Sequence, residues 1–181
     1  LIANVMDGVG EPALLIEGST SPHSFTLKPS HAKLLEEADI IFWVGESIET
    51  FMERPLESIV KNAEVVEFME VESINKLKFR EESIFEDHDD HDDHDDHEEH
   101  DDHDEHDDQN GHDDHGHAHG EFDAHIWLDP MNAKEMVHEI AHELGDLDPA
   151  NKNKYEANAQ ATIQALDQLI NDIEKLSLIH I

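Results

Sequence analysis

The stretch HAKLLEEADIIFWVG, residues 31–45, decides the fold. Its first half spaces Ala32, Leu34, Leu35 and Ala38 as the inward stripe of a helix over His31 to Ala38, with Ser30 as the capping residue. Its second half, Ile40 to Val44, is an unbroken apolar run, the pattern of a strand covered on both faces, and Gly45 ends it. Only Asp39 separates the two. Helix feeding directly into a doubly buried strand is the signature of a parallel sheet with crossover helices.

The flanks repeat the alternation. Ile2, Val5, Met6 and Val9 are spaced as the end of a helix with Gly8 or Gly10 as its C-cap, and Ala13 to Glu17 reads as a buried strand. A loop rich in Gly, Ser, Thr and Pro, residues 18–30, follows and carries His23. Downstream, Ile48 to Met52 and Leu56 to Val60 suggest helical turns with Pro55 tolerated in a first turn, and Glu64 to Phe68 a third strand. The class is therefore α/β, in which ligands gather in the loops after the carboxyl ends of the strands. His23 lies on a loop of that kind.

Farther on, Asp123 to Pro130 is expected to be extended, and Asp129 with Pro130 to start a helix running to about Leu144, where Gly145 to Pro149 break it. From Asn151, the spacing of Tyr155, Ala159, Ile163, Leu166, Leu169, Ile170 and Ile173 predicts a long amphipathic helix. Nothing in the sequence supplies its packing partner, so it reads as a connector.

Between Glu86 and Gly120 the chain holds eleven histidines, eighteen Asp or Glu, and no Lys or Arg. Imidazole suits zinc, copper and nickel, and carboxylate suits harder cations, so this composition points to many overlapping weak metal sites. No residue from Glu86 to His117 is apolar, so nothing offsets about 1–2 kcal/mol of backbone entropy per ordered residue. The tract is accordingly expected to be a disordered loop. From His88 through His91, His94, His97, His100 and His103 to His106 the histidines recur every third residue, and His112, His115, His117 and His119 follow. On a helix that repeat turns each histidine about 60° from the last, so the spacing describes no preformed helical site. Neighbouring carboxylates favour the imidazolium form, which sets metal in competition with protons. The alternative is a solvated charge run.

The formal charge is −35, and the tract holds 18 of the 46 acidic residues, leaving 28 acids against 11 bases elsewhere. Nucleic acid and anionic membranes reward clustered Lys and Arg, so neither is an expected partner; a cation is. There is no cysteine, which removes thiolate ligands and disulfides. The apolar runs fall far short of the roughly 20 residues of a membrane helix, so no direct membrane insertion is expected. About 146 residues outside the tract suffice for one ordinary domain. The chain opens at Leu1 within an amphipathic pattern, and is read as an internal fragment.

His138-Glu139-Ile140-Ala141-His142 is a literal HExxH, and through Gly145 and Asp148 it extends to HExxHxxGxxD. Two histidines four apart on a helix can share one zinc, with the glutamate as general base, so a zinc metalloprotease is one reading. Against it, the methionine turn expected downstream is missing, since the last Met is Met136. Val137, Ile140, Ala141, Leu144 and Leu147 also explain the helix as an ordinary amphipathic one, with His138 and His142 on its polar side. No base, nucleophile or oxyanion arrangement accompanies His23 and His125, so an enzyme is not expected. A stand-alone metal-buffering protein is the remaining alternative.

Three ordered motifs outweigh these. Gly18-Ser-Thr-Ser-Pro-His23-Ser-Phe-Thr-Leu-Lys-Pro-Ser30, Ala38-Asp-Ile-Ile-Phe-Trp-Val-Gly45 and His125-Ile-Trp-Leu-Asp-Pro-Met-Asn-Ala133 resemble the metal-binding substrate-binding proteins of bacterial zinc and manganese ABC transporters, specifically the zinc branch. A long acidic, His-rich loop before the third motif is itself a feature of that branch. The resemblance implies two lobes joined by a long rigid helix, with one metal ion between them. Residues 1–147 would then form the first lobe and residues 148–181 the connecting helix, with the second lobe absent. By matched position His23 and His125 would ligate zinc, and a third histidine and an acidic or water ligand would come from the other lobe; carboxylates there would favour manganese instead. Pro22 stands where some zinc members have Glu, so no carboxylate is carried over, and His31 matches no ligand and is read as surface. The resemblance further implies a monomeric periplasmic protein, or a lipid-anchored extracytoplasmic one, serving a permease and its ATPase. Zinc would be its cargo, and the tract an accessory collector.

Overall fold

The computed structural model describes residues 1–18, 20–79 and 121–179. The tract and its histidines, from His88 to His119, lie outside the described residues, as does the expectation of a disordered loop over 86–120. The elements run α1 (Ile2–Val5), α2 (Pro29–Glu37), β1 (Ile40–Trp43), α3 (Glu53–Ser58), β2 (Glu64–Glu67), α4 (Pro130–Leu147) and α5 (Lys152–Ile179), with 3-10 turns at Pro22–Ser24, Phe68–Glu70 and Ile126–Leu128.

β1 and β2 pair in parallel, Ile40 opposite Glu64 and Trp43 opposite Glu67, with α3 in the crossover. Alternation along β1 splits the core into two layers. Ile41 and Trp43 join Leu35 of α2 and Met52 on one face, while Ile40 and Phe42 pack toward Val137, Ile140 and Leu144 of α4 on the other. The sheet is thus sandwiched between α2/α3 and the α1/α4/α5 layer, the α/β arrangement that residues 31–45 predict.

Several expectations fail, each for a local reason. Ala13–Glu17 forms no strand: no described backbone ladder reaches it, Leu14 is exposed, and Leu15 contributes only by packing its side chain on the Leu35–Trp43 cluster. Ser30 is not the cap of α2. Pro29 takes the first helical position, and the Lys28 N–H donates to His31 Nδ1 at 3.1 Å. His31 is therefore no idle surface residue but a half-buried cap, its ring stacked on Phe25 at 5.2 Å. Leu34 points outward, a quarter-turn from Leu35, and Ile48–Met52 is a turn rather than a helix.

The second half departs in three places. Ile126–Leu128 is a 3-10 turn, not an extended segment. Gly145 does not break α4, which runs to Leu147; a Cβ on Gly145 would stand 3.0 Å from Cγ of Lys152, so the glycine serves close approach to α5. α5 does find a partner: Tyr155, Ala159 and Ile163 are buried against α4 and α1. Beyond them Leu169, Ile173 and Leu176 are exposed, so only the first half of α5 is built into the core. Among the described residues, no helix is long and apolar enough to cross a membrane.

Candidate metal centre

Two segments on either side of the tract in sequence bring His23 and His125 together. Pro22 opens the 3-10 turn that carries His23, and its ring restricts the backbone there. Two residues on, Phe25 stacks on His31 and meets Phe51 edge-on with centroids 4.9 Å apart, which pins the loop to α2 and to the turn before α3. His125 precedes the Ile126–Leu128 turn, whose apolar anchor is Ile126, buried in the α4 layer. Asp129 caps α4 by accepting the Met131 N–H at 2.8 Å, as its pairing with Pro130 predicts.

The imidazole centroids of His23 and His125 lie 5.7 Å apart with a 46° tilt. Two imidazoles bound to one tetrahedral zinc through Zn–N bonds of 2.0–2.1 Å put their centroids about 5.2 Å apart. The pair is thus within about half an ångström of that spacing. Both histidines are exposed, open to solvent and to further ligands. Trp127 flanks His125 at 5.3 Å.

Sequence reasoning missed the residues that hold this geometry. Asp123 Oδ1 lies 2.7 Å from His125 Nδ1 and accepts the His125 backbone N–H at 2.9 Å. Those contacts, the backbone one foremost, hold the Asp123 carboxyl below the usual carboxylate range. Buried Asn132 clamps the loop from beneath: its Nδ2 donates to Ile126 O at 3.2 Å and to Asn75 O at 2.9 Å, and its Oδ1 accepts the Asn75 N–H at 2.9 Å. The D-x-H spacing was the available signal for Asp123. Nothing local marked Asn132, whose partner Asn75 lies beyond the tract.

The HExxH pair is arranged otherwise. His138 and His142 are exposed on α4, and His142 Nδ1 lies 3.0 Å from Glu143 Oε1. That hydrogen bond, then the Asp146 charge, pushes the His142 pKa up, which favours a proton over a metal. Glu139 lines a groove of about 540 Å³ with Glu64, Glu67, Glu70, Glu72 and Glu143, which contains neither His23 nor His125. Among the described residues, no group of three or more His, Cys, Asp or Glu is placed to hold a metal ion.

Residues 1–178 match the family model described as "ZnuA: Zinc-uptake complex component A periplasmic". A high-affinity zinc uptake system protein ZnuA of Brucella abortus is 46% identical over 178 residues, covering 96% of this chain and 53% of that protein. Among solved structures, a Mn-bound periplasmic metal binding protein from Candidatus Liberibacter asiaticus superposes with TM-score 0.68 at 20% identity, covering 96% of this chain and 51% of the other. Zn(II)-bound AdcA from Streptococcus pneumoniae gives 0.63 at 21%, covering 93% and 28%. These structural likenesses speak to the fold alone. The chain spans about half the length of the curated relatives it matches.

Proposed function

The chain belongs to the family of the periplasmic zinc-uptake component ZnuA, and on that premise we propose that residues 1–147 are the first metal-binding lobe of a protein that captures zinc outside the cytoplasmic membrane and delivers it to an ABC permease and its ATPase. Residues 148–181, which include α5, lead to a second lobe, and the protein works as a monomer. The observation that carries this reading is the 5.7 Å approach of the His23 and His125 rings. Two imidazoles leave two tetrahedral positions open, and a second lobe closing over them completes the shell. Nitrogen ligands favour zinc over manganese, which suits carboxylate and water.

The function is binding rather than catalysis. Release to a permease requires a shell that opens, and a site split between two lobes opens when they part. In this reading the Glu86–Gly120 tract serves as a weak, multivalent collector of zinc, as its composition suits.

Calorimetric zinc titration of the intact protein tests the assignment. His23→Ala and His125→Ala abolish the tight phase, while His138→Ala and Glu139→Gln leave it untouched. Deleting residues 87–119 removes only the weak, multiple phase. Survival of the tight phase in both His23→Ala and His125→Ala would overturn the reading, and its loss on tract deletion would move the principal site into the tract.

A further inference from the structure

His125 reaches a metal only through a ring nitrogen that carries a lone pair, and a neutral imidazole has one such nitrogen. Which nitrogen it is depends on what holds the other. Asp123 Oδ1 sits 2.7 Å from Nδ1, and an ionised carboxylate only accepts, so the shared proton resides on Nδ1. Nε2 is left bare. The same oxygen takes the His125 N–H, so ring and backbone are fixed against one point. That point is itself anchored: the Asp123 N–H donates to Leu77 O at 2.7 Å, one residue beyond the antiparallel bridge between Lys78 and Phe122.

We propose that Asp123 is a positioning residue for zinc capture, selecting the His125 tautomer that offers Nε2 and aiming that nitrogen at the space shared with His23. The inference rests on the reading of His125 as a ligand. It differs from that reading in what it requires, because the tautomer is set in the metal-free protein. Without the carboxylate, His125 redistributes its proton between the two nitrogens and its ring turns more freely, so each binding event must first recover the competent form. Removing a carboxylate that orients a metal-binding histidine typically costs about 10–100-fold in affinity.

Two measurements on the intact protein test this. Long-range proton–nitrogen NMR of the metal-free protein, above the pH at which imidazole titrates, reports which His125 nitrogen is protonated. The expected result is protonated Nδ1 in the parent and a shift toward protonated Nε2 in Asp123→Ala, with the His23 ring signals unmoved as evidence that the variant is folded. Asp123→Asn, whose amide oxygen still accepts, retains the Nδ1 proton and restores part of the ten- to hundredfold loss of zinc affinity. Protonated Nε2 in the parent, or an unchanged tautomer in Asp123→Ala, overturns the inference. Its failure is separable from that of the function: His125→Ala that binds zinc like the parent removes the ligand assignment, whereas loss of binding in His125→Ala with no effect of Asp123→Ala removes only the role of Asp123.

Discussion

Asn132 grips Asn75 by both of its backbone polar groups, accepting the N–H and donating to the carbonyl, each at 2.9 Å. This pairing joins α4 to a segment on the far side of the tract, and a third bond to Ile126 O ties in the turn after His125. Asn132→Ala leaves Asn75 and Ile126 without their partner in a buried setting, so a loss of about 1–3 kcal/mol is expected in urea unfolding. Because the clamp underlies the His125 turn, the proposed site predicts that zinc affinity falls with it. Unchanged stability would mean that water replaces the amide at no cost.

Gly45 ends β1 with φ +150°, and a Cβ there would stand 2.7 Å from Glu67 Oε1. The backbone conformation demands glycine at this point, whereas the end of the Glu67 side chain can swing aside. Gly45→Ala should cost about 1–3 kcal/mol from backbone strain alone. Adding Glu67→Ala relieves the contact but not the φ, so the double variant should recover only part of the loss in thermal unfolding.

The Glu49 carboxylate accepts the N–H groups of Val44 at 2.7 Å and Gly45 at 3.2 Å, yet burial outweighs both and pushes its pKa up. Between the ordinary carboxyl pKa and the raised one, the folded protein binds more protons than the unfolded chain. Stability therefore falls as pH rises through that window. Glu49→Gln cannot ionise, so its stability relative to the parent should climb with pH across the same interval and stay level outside it. Parallel stability curves in a pH series of urea melts would refute this.

Ile140 is fully buried on α4, while Ile173 on α5 is 45% exposed. Ile140→Ala should cost about 2–5 kcal/mol through lost transfer energy and a cavity. Ile173→Ala should stay within about 0.5 kcal/mol. A large effect at Ile173 in the same unfolding assay would show that the outer half of α5 is covered in solution.

The parts of this structure legible in the sequence are those governed by neighbours along the chain. Continuous apolar character marks β1, and Asp129 with Pro130 marks the start of α4, because capping is a local bond. Ala13–Glu17 has the same apolar look as a strand but forms none, since a strand also needs a partner in register and no local pattern reports one. Gly145 misleads for a related reason: its role is set by Lys152 packing over it, and a glycine spared for contact reads like one placed to end a helix. His23 and His125 stand out as a pair only through the motif resemblance, and their juxtaposition required the fold. His31 shows the converse, a histidine whose chemistry is spent on its own helix.

The bridge between Lys78 and Phe122, reinforced by the Lys78–Glu121 ion pair and by Lys78 over the Phe122 ring at 5.9 Å, closes the chain at the two ends of residues 80–120. Exit and re-entry at one spot uncouple the length of this insertion from the rest of the fold. Closure entropy grows slowly with the number of residues between two joined chain ends, by about 0.6 kcal/mol per doubling. By fixing both chain ends at one spot, the junction keeps its mouth one residue from Asp123 and separates the His23–His125 spacing from whatever number of residues lies between those ends.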